Sequence, residues 1–349
     1  MRRLLLCSSV AFLHLLLSAC EGFFGDDDEG DRFVMVTADG SVQMLSGNDV
    51  QASMLWDGEI AAAERAELVA DGDALYVGSG QELMAFSQSS GAPLWSAPVT
   101  LSGPVVALAG PGSGALFAMT LDGSLVALEV ADGSLRWSLD LLIELPGSSD
   151  DALLFAGGSL VLGGDPIRAI SAEDGSVLAS YSSGDSYVSD LAAVGNQVFA
   201  GLADRVVALA LPQLSEVWSH PTSDEVDNLV VGGAAVFYSV LGAGVGLLTT
   251  SGNPVASADD DGVYEALAMG PDNLLLGARS DAVLLAWDET ALEEQWTVTD
   301  VSVPVQGLAS AGTSVFYGNG GYVDGISAVN GNSLWVYQAS GAAAGLLGI

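Results

Sequence analysis

Three observations predict an all-β fold built from repeated four-stranded antiparallel sheets. Comparing the chain with itself reveals a unit of about 40 residues that recurs eight times, with Trp or its replacement at 56, 95, 137, 179, 218, 256, 296 and 335. Within each copy, short alternating apolar runs are bounded by Gly, Asp, Asn and Ser, the pattern of strands joined by hairpins. Between copies lies one further apolar run, which brings the count to four strands per period. Four antiparallel strands in about 40 residues make one blade of a β-propeller, so the sequence predicts an eight-bladed β-propeller. Stacked blades that touch only their neighbours also explain how a chain of 349 residues folds without one oversized core.

From the N-terminus, Arg2 and Arg3 precede an apolar run over residues 4–17, and Leu17, Ser18 and Ala19 lead to Cys20. This is the layout of a secretory signal peptide over residues 1–19, and the run is too short for a spanning helix. Its ending resembles a bacterial lipobox, which implies cleavage before Cys20, a lipidated Cys20 and anchorage to a membrane. Cys7 leaves with the leader, so no disulfide is expected. Residues 20–32 then read as an extended acidic tether, because like charges spaced by Gly repel one another, and the propeller is expected over 33–349.

The clearest copies are 74–95, 115–137 and 314–335; weaker ones are 33–56, 159–179, 197–218, 235–256 and 274–296. The additional strands are expected at 67–70, 105–108, 153–156, 191–194, 229–231, 266–269 and 307–309. The first copy lacks such a strand, whereas the last is followed by a spare one at 343–347. The C-terminal strand is therefore expected to join the first blade, closing the ring and leaving no open edge. Asp-Gly pairs at 39, 122, 132 and 174 supply hairpin turns. Gly91, Gly133 and Gly331 each precede a Trp by four residues, and a left-handed turn there sets the ring on the following strand. Trp56, Trp95, Trp137, Trp218, Trp296 and Trp335 are read as rings that lock each blade to its neighbour. Ala179 and Ala256 lack the ring.

Composition narrows the function. The chain has 44 acidic residues against eight arginines and no lysine, for a net charge of -36. That excludes Schiff-base lysines and the P-loop lysine, and it disfavours nucleic acid, which is bound by neutralising phosphates. His220 is the only histidine beyond the leader and is expected in a surface loop, so no catalytic base, zinc centre or other metal site is expected. Asp259, Asp260 and Asp261 read as an acidic turn rather than a calcium loop. No cofactor is expected, and the ring itself is expected to be monomeric.

The pattern V-Y/F-x-G, G-x-L-x-A-L, G-x-x-x-W resembles the pyrroloquinoline-quinone-like propeller repeat. Eight copies behind a lipobox resemble the BamB family of outer-membrane protein assembly lipoproteins. That resemblance implies a non-enzymatic scaffold at the periplasmic face of the outer membrane. Such a scaffold docks through inter-blade loops on a BamA-like barrel insertase. Leu162-Gly163-Gly164-Asp165 with Arg168 and Ala169 resembles the family's blade start V-G-G-D-x-G-R-x-x-A. By position it implies partner contacts at Leu141, Leu142, Ile143 and Leu145 in the preceding loop, and at Asp185 and Asp190 in the following one. The arginine the family carries in the preceding loop is missing between Trp137 and Ser159. Two alternatives remain open: an envelope propeller that binds another protein or a polysaccharide, and a quinone-dependent or carboxylate-based enzyme. A quinoprotein dehydrogenase would add a vicinal-Cys disulfide and often a haem attachment, which this chain cannot build.

Overall fold

The computed structural model describes residues 30–349 except 49, 142–152, 185–187, 300 and 302–305. The leader, Cys20 and most of the tether lie outside the described residues. The rest forms eight four-stranded antiparallel sheets, each running outward from an inner strand. Blades 2 to 8 begin with the inner strands Ala66–Asp71, Val105–Gly112, Leu153–Ala156, Val188–Val194, Val226–Gly232, Tyr264–Met269 and Gln306–Ala311. Each of the expected additional strands is one of these. Successive inner strands pack side by side around a central channel, and Ala343–Gly348 stands between those of blades 8 and 2.

The closing strand lies where the sequence places it. Ala343–Gly348 pairs antiparallel with Asp31–Thr37, in the register Phe33↔Gly348, Val34↔Leu347 and Met35↔Leu346. The backbone N–H of Ile349 extends the ladder to the Arg32 carbonyl at 2.9 Å. Blade 1 starts two residues earlier than expected, because Asp31 and Arg32 pair with Gly47 and Ser46 and the Asp31 carboxylate accepts the Thr313 N–H of blade 8.

The core lies between and within the blades. Phe33, Phe117, Phe199, Phe237 and Phe316, on second strands, are all fully buried. Within a blade the ring on the second strand meets the Trp on the outer one, as in Phe117–Trp137 at 5.9 Å, Phe199–Trp218 at 5.7 Å and Phe316–Trp335 at 5.7 Å. Each such pair contributes about 0.5–1.5 kcal/mol beyond its buried area.

Blade 2 departs from the expectation. Its outer strand is only Val99–Thr100, and Trp95 lies in a bend rather than on a strand. Pro93 and Pro98 flank it and have no N–H to give a ladder, so Pro93 makes only an isolated bridge with Phe86. Trp95 is nonetheless just 2% exposed. The anchor here is the ring's packing, not the strand.

Candidate functional site

Five locks join a Trp of one blade to a turn of the next. The indole N–H of Trp56 donates to the Gln88 carbonyl (2.7 Å), Trp95 to Val130 (3.0 Å) and Trp137 to Ala172 (3.1 Å). Trp218 reaches Thr250 (2.9 Å) and Trp296 reaches Ala328 (2.6 Å) in the same way. The ring then covers a glycine in that turn: a Cβ at Gly133, whose φ is +74°, would stand 2.9 Å from Trp95. Two demands, a left-handed backbone and a bare surface for the indole, meet at one residue type. Trp335 differs. It lies on Gly47, and its buried indole N–H has no hydrogen-bond partner.

At the two ringless positions the partner changes as well. Leu214 and Leu292 stand four residues before Trp218 and Trp296, where blades 2, 3, 4, 6 and 8 have glycine, and both keep positive φ, +52° and +55°. Leu292 even retains the turn's bond, its N–H to the Asp288 carbonyl at 3.2 Å. Leu214 packs in one cluster with Ala179 and Tyr181, and Leu292 in another with Ala256. The lock has been exchanged from Trp on Gly to Ala under Leu. Sequence reading missed it, although Leu at those two positions, each one blade after a missing Trp, was the available signal.

Strand alternation puts the inter-blade linkers and the turns between second and third strands on one face of the ring. Near this face, the inner strands of blades 5, 6 and 7 shift register, leaving Ser189, Asp227 and Glu265 unopposed. Such bulges bend the strand and re-aim the residues around them. In blade 5 the next residue, Asp190, is 8% exposed. One of its carboxylate oxygens accepts the Leu191 N–H and the other the Leu229 N–H of blade 6, both at 2.6 Å. In blade 6 the equivalent Asn228 donates to the Tyr264 carbonyl of blade 7 at 2.9 Å. Ser189 adds a bond to the Val226 carbonyl. These side chains stitch three blades around a channel cavity of about 430 Å³, bordered by Asp190, Asn228, Glu265, Leu229 and Leu267.

The expected partner-binding residues do not come together as one exposed patch among the described residues. Leu141 is 9% exposed and packs into the core of blades 3 and 4, its N–H bonded to the Gly123 carbonyl. Asp190 is the inter-blade bridge just described. Leu142, Ile143, Leu145, Asp185 and Cys20 lie outside the described residues. Asp165 of the family-like motif receives the N–H and hydroxyl of Ser183 at 3.2 Å, and Arg205 donates to the Ser183 carbonyl at 2.9 Å. The two together hold the start of the blade 4–5 linker.

Charge and titration follow the same geometry. Arg65, Arg136, Arg205 and Arg279 each pair with a carboxylate. Thr37 and Thr120, both buried, donate to Asp39 and Asp122 two residues on, and that bond foremost holds each carboxyl below its usual range. Asp227 goes the other way: burial first, then Glu225 and Asp224, push its carboxyl up. One of its oxygens is buried without a partner. Asp260 is taken by the Tyr264 hydroxyl at 2.5 Å, the Gly262 N–H at 2.7 Å and Arg279 at 3.5 Å. Among the described residues no three His, Cys, Asp or Glu side chains are grouped to hold a metal. His220, expected in a loop, is on the outer strand Ser215–Pro221, its ring 6.2 Å from that of Tyr238. The strand simply runs past Trp218 to meet the linker.

Repeat, ring and locks define the class: an eight-bladed β-propeller of pyrroloquinoline-quinone-like repeats. The chain belongs to the family described as outer membrane protein assembly factor BamB, which matches residues 38–240 and 80–297. No curated protein matches the chain. Among solved structures, BamB from Moraxella catarrhalis is 16% identical with a TM-score of 0.65, covering 90% of this chain and 91% of that one. Quinohemoprotein alcohol dehydrogenase from Comamonas testosteroni is 14% identical with a TM-score of 0.65, covering 80% and 68%. The dihydro-heme d1 dehydrogenase NirN is 14% identical with a TM-score of 0.71, covering 93% and 76%. At these identities the likeness is one of fold. No helix among the described residues is long and apolar enough to cross a membrane.

Proposed function

We propose that this protein is a non-enzymatic lipoprotein scaffold of the cell envelope. In this reading it assists assembly of β-barrel proteins into the outer membrane by docking on a BamA-like insertase. The family match over most of the chain carries the reading. The described ring supports it physically, since inner strands stitched across blades 5, 6 and 7 give a partner a rigid frame to dock on. Cys20 is the proposed lipid attachment, with residues 21–30 as tether and the periplasmic face of the outer membrane as the location. Crosslinking in the native cell tests the role. Recovery of a barrel insertase is expected, and its absence under conditions that capture other partners overturns the assembly role. Labelling with an alkyne fatty acid, expected to vanish in Cys20→Ser, tests the anchor separately.

One observation favours a second reading, an envelope propeller that binds a different protein or a polysaccharide. The arginine of the family's docking loop is absent between Trp137 and Ser159. The same crosslinking separates the two readings by what it recovers.

A further inference from the structure

We propose that a pocket between the blade 5–6 linker and blade 6 receives a guanidinium-bearing side chain from a protein partner. The inference deepens the docking reading above and rests on it. The pocket, about 170 Å³, is bordered by Pro221 at the end of the blade 5 outer strand, Ser223 of the linker, Tyr238, Gly244 and Gly246 of blade 6, and Asp259. Small-molecule and cofactor sites run to roughly 300–1,000 Å³, so this one has room for a single side chain.

Its chemistry is that of a cation site. Tyr238 lies across the ladder on Gly246, where a Cβ would stand 2.2 Å from the ring carbon bearing the hydroxyl. The ring is half-buried, and among the described residues nothing bonds its hydroxyl. With one ring face on Gly246 and the His220 ring 6.2 Å away, what Tyr238 offers the pocket is its hydroxyl beside the Asp259 carboxylate, oxygen acceptors that suit the fork of N–H donors on a guanidinium. No lining residue is basic. The nearby guanidinium groups are engaged elsewhere, Arg205 with Asp204 and the Ser183 carbonyl, and Arg279 with Asp281 and Asp260. Asp224 and Glu225 in the same linker add negative potential. A chain with a net charge of -36 presents this pocket to partners that must supply the positive charge.

Titration of the full propeller, carrying ¹³C-labelled tyrosine, with N-acetyl-arginine amide tests the proposal. The Tyr238 ring signals are expected to shift saturably. The neutral citrulline analogue is expected to leave them unmoved, and Asp259→Asn to weaken the arginine response at least about threefold. Calorimetric titration of Tyr238→Leu, with its melting curve checked, is expected to show the binding heat lost. No saturable shift, an equal shift with citrulline, or an unchanged response in Asp259→Asn overturns the proposal. If arginine titrates while crosslinking recovers no insertase, the assembly role falls and the pocket stands. If the insertase is recovered while arginine fails to titrate, the pocket falls alone.

Discussion

Leu214 fills from blade 5 the space that Ala179 leaves open in blade 4, and it does so with its backbone still in the left-handed turn that glycine occupies in other blades. The exchange reproduces the packing of a Trp on a glycine with the bulky partner moved across the interface.

Installing the ring alone is expected to harm the fold. Ala179→Trp meets a site already filled by Leu214 and Tyr181, and overpacking of this kind costs about 1–3 kcal/mol. Adding Leu214→Gly is expected to restore most of the loss, since it clears the indole's seat and removes a positive-φ leucine. Urea midpoints of both single variants and the double variant give the coupling, and additive losses contradict the exchange.

Asp190 is expected to matter more to stability than a surface carboxylate does. Asp190→Ala orphans the Leu229 N–H at the inner ring and should cost about 1–3 kcal/mol. Asp190→Asn keeps an acceptor and should cost less. Equal and negligible losses in chemical denaturation show that the bridge carries nothing.

Asp227 gives a pH dependence of known sign. Its folded carboxyl lies above the ordinary value of 3.8, so the native state binds the proton more readily than the unfolded chain. The ionised group therefore destabilises the fold at neutral pH, and that penalty disappears as pH falls toward the unfolded value. Asp227→Asn is expected to raise the melting temperature at pH 7 and to leave it unchanged at about pH 3.5. A gain of the same size at both pH values excludes the electrostatic cause.

Two tryptophans that look alike in sequence should respond differently to loss of the indole nitrogen. Trp296→Phe breaks a 2.6 Å bond and leaves the Ala328 carbonyl without its donor. Trp335→Phe removes a nitrogen that bonds nothing. With similar losses of ring area, Trp296→Phe should cost about 1 kcal/mol more in denaturant titration.

The sequence makes the period, the inner strands and the closing tail legible, because each depends on local alternation and turn residues that recur within one copy. The Leu214 and Leu292 exchanges are hidden because the two halves of a lock belong to different copies, and a copy-by-copy reading sees only a lost Trp. In blade 2 the repeat continues through Pro93 and Pro98 while the ladder cannot, so pattern and strand part company. Asp190 reads as a surface acid by its chemistry. Only the bulge before it turns the carboxylate onto a neighbouring backbone.

The pairing of Phe33 with Gly348 also sets a timetable for the molecule. Among the described residues every other inner strand belongs to its own blade, so the first strand waits for the last one to complete its sheet. Closure entropy grows only by about 0.6 kcal/mol for each doubling of loop length, so joining the two ends is barely harder thermodynamically than joining half the ring. The burden is temporal. A nascent chain carries an exposed, apolar blade-1 edge through almost its whole synthesis, and any truncation near the C-terminus turns that transient edge into a permanent one.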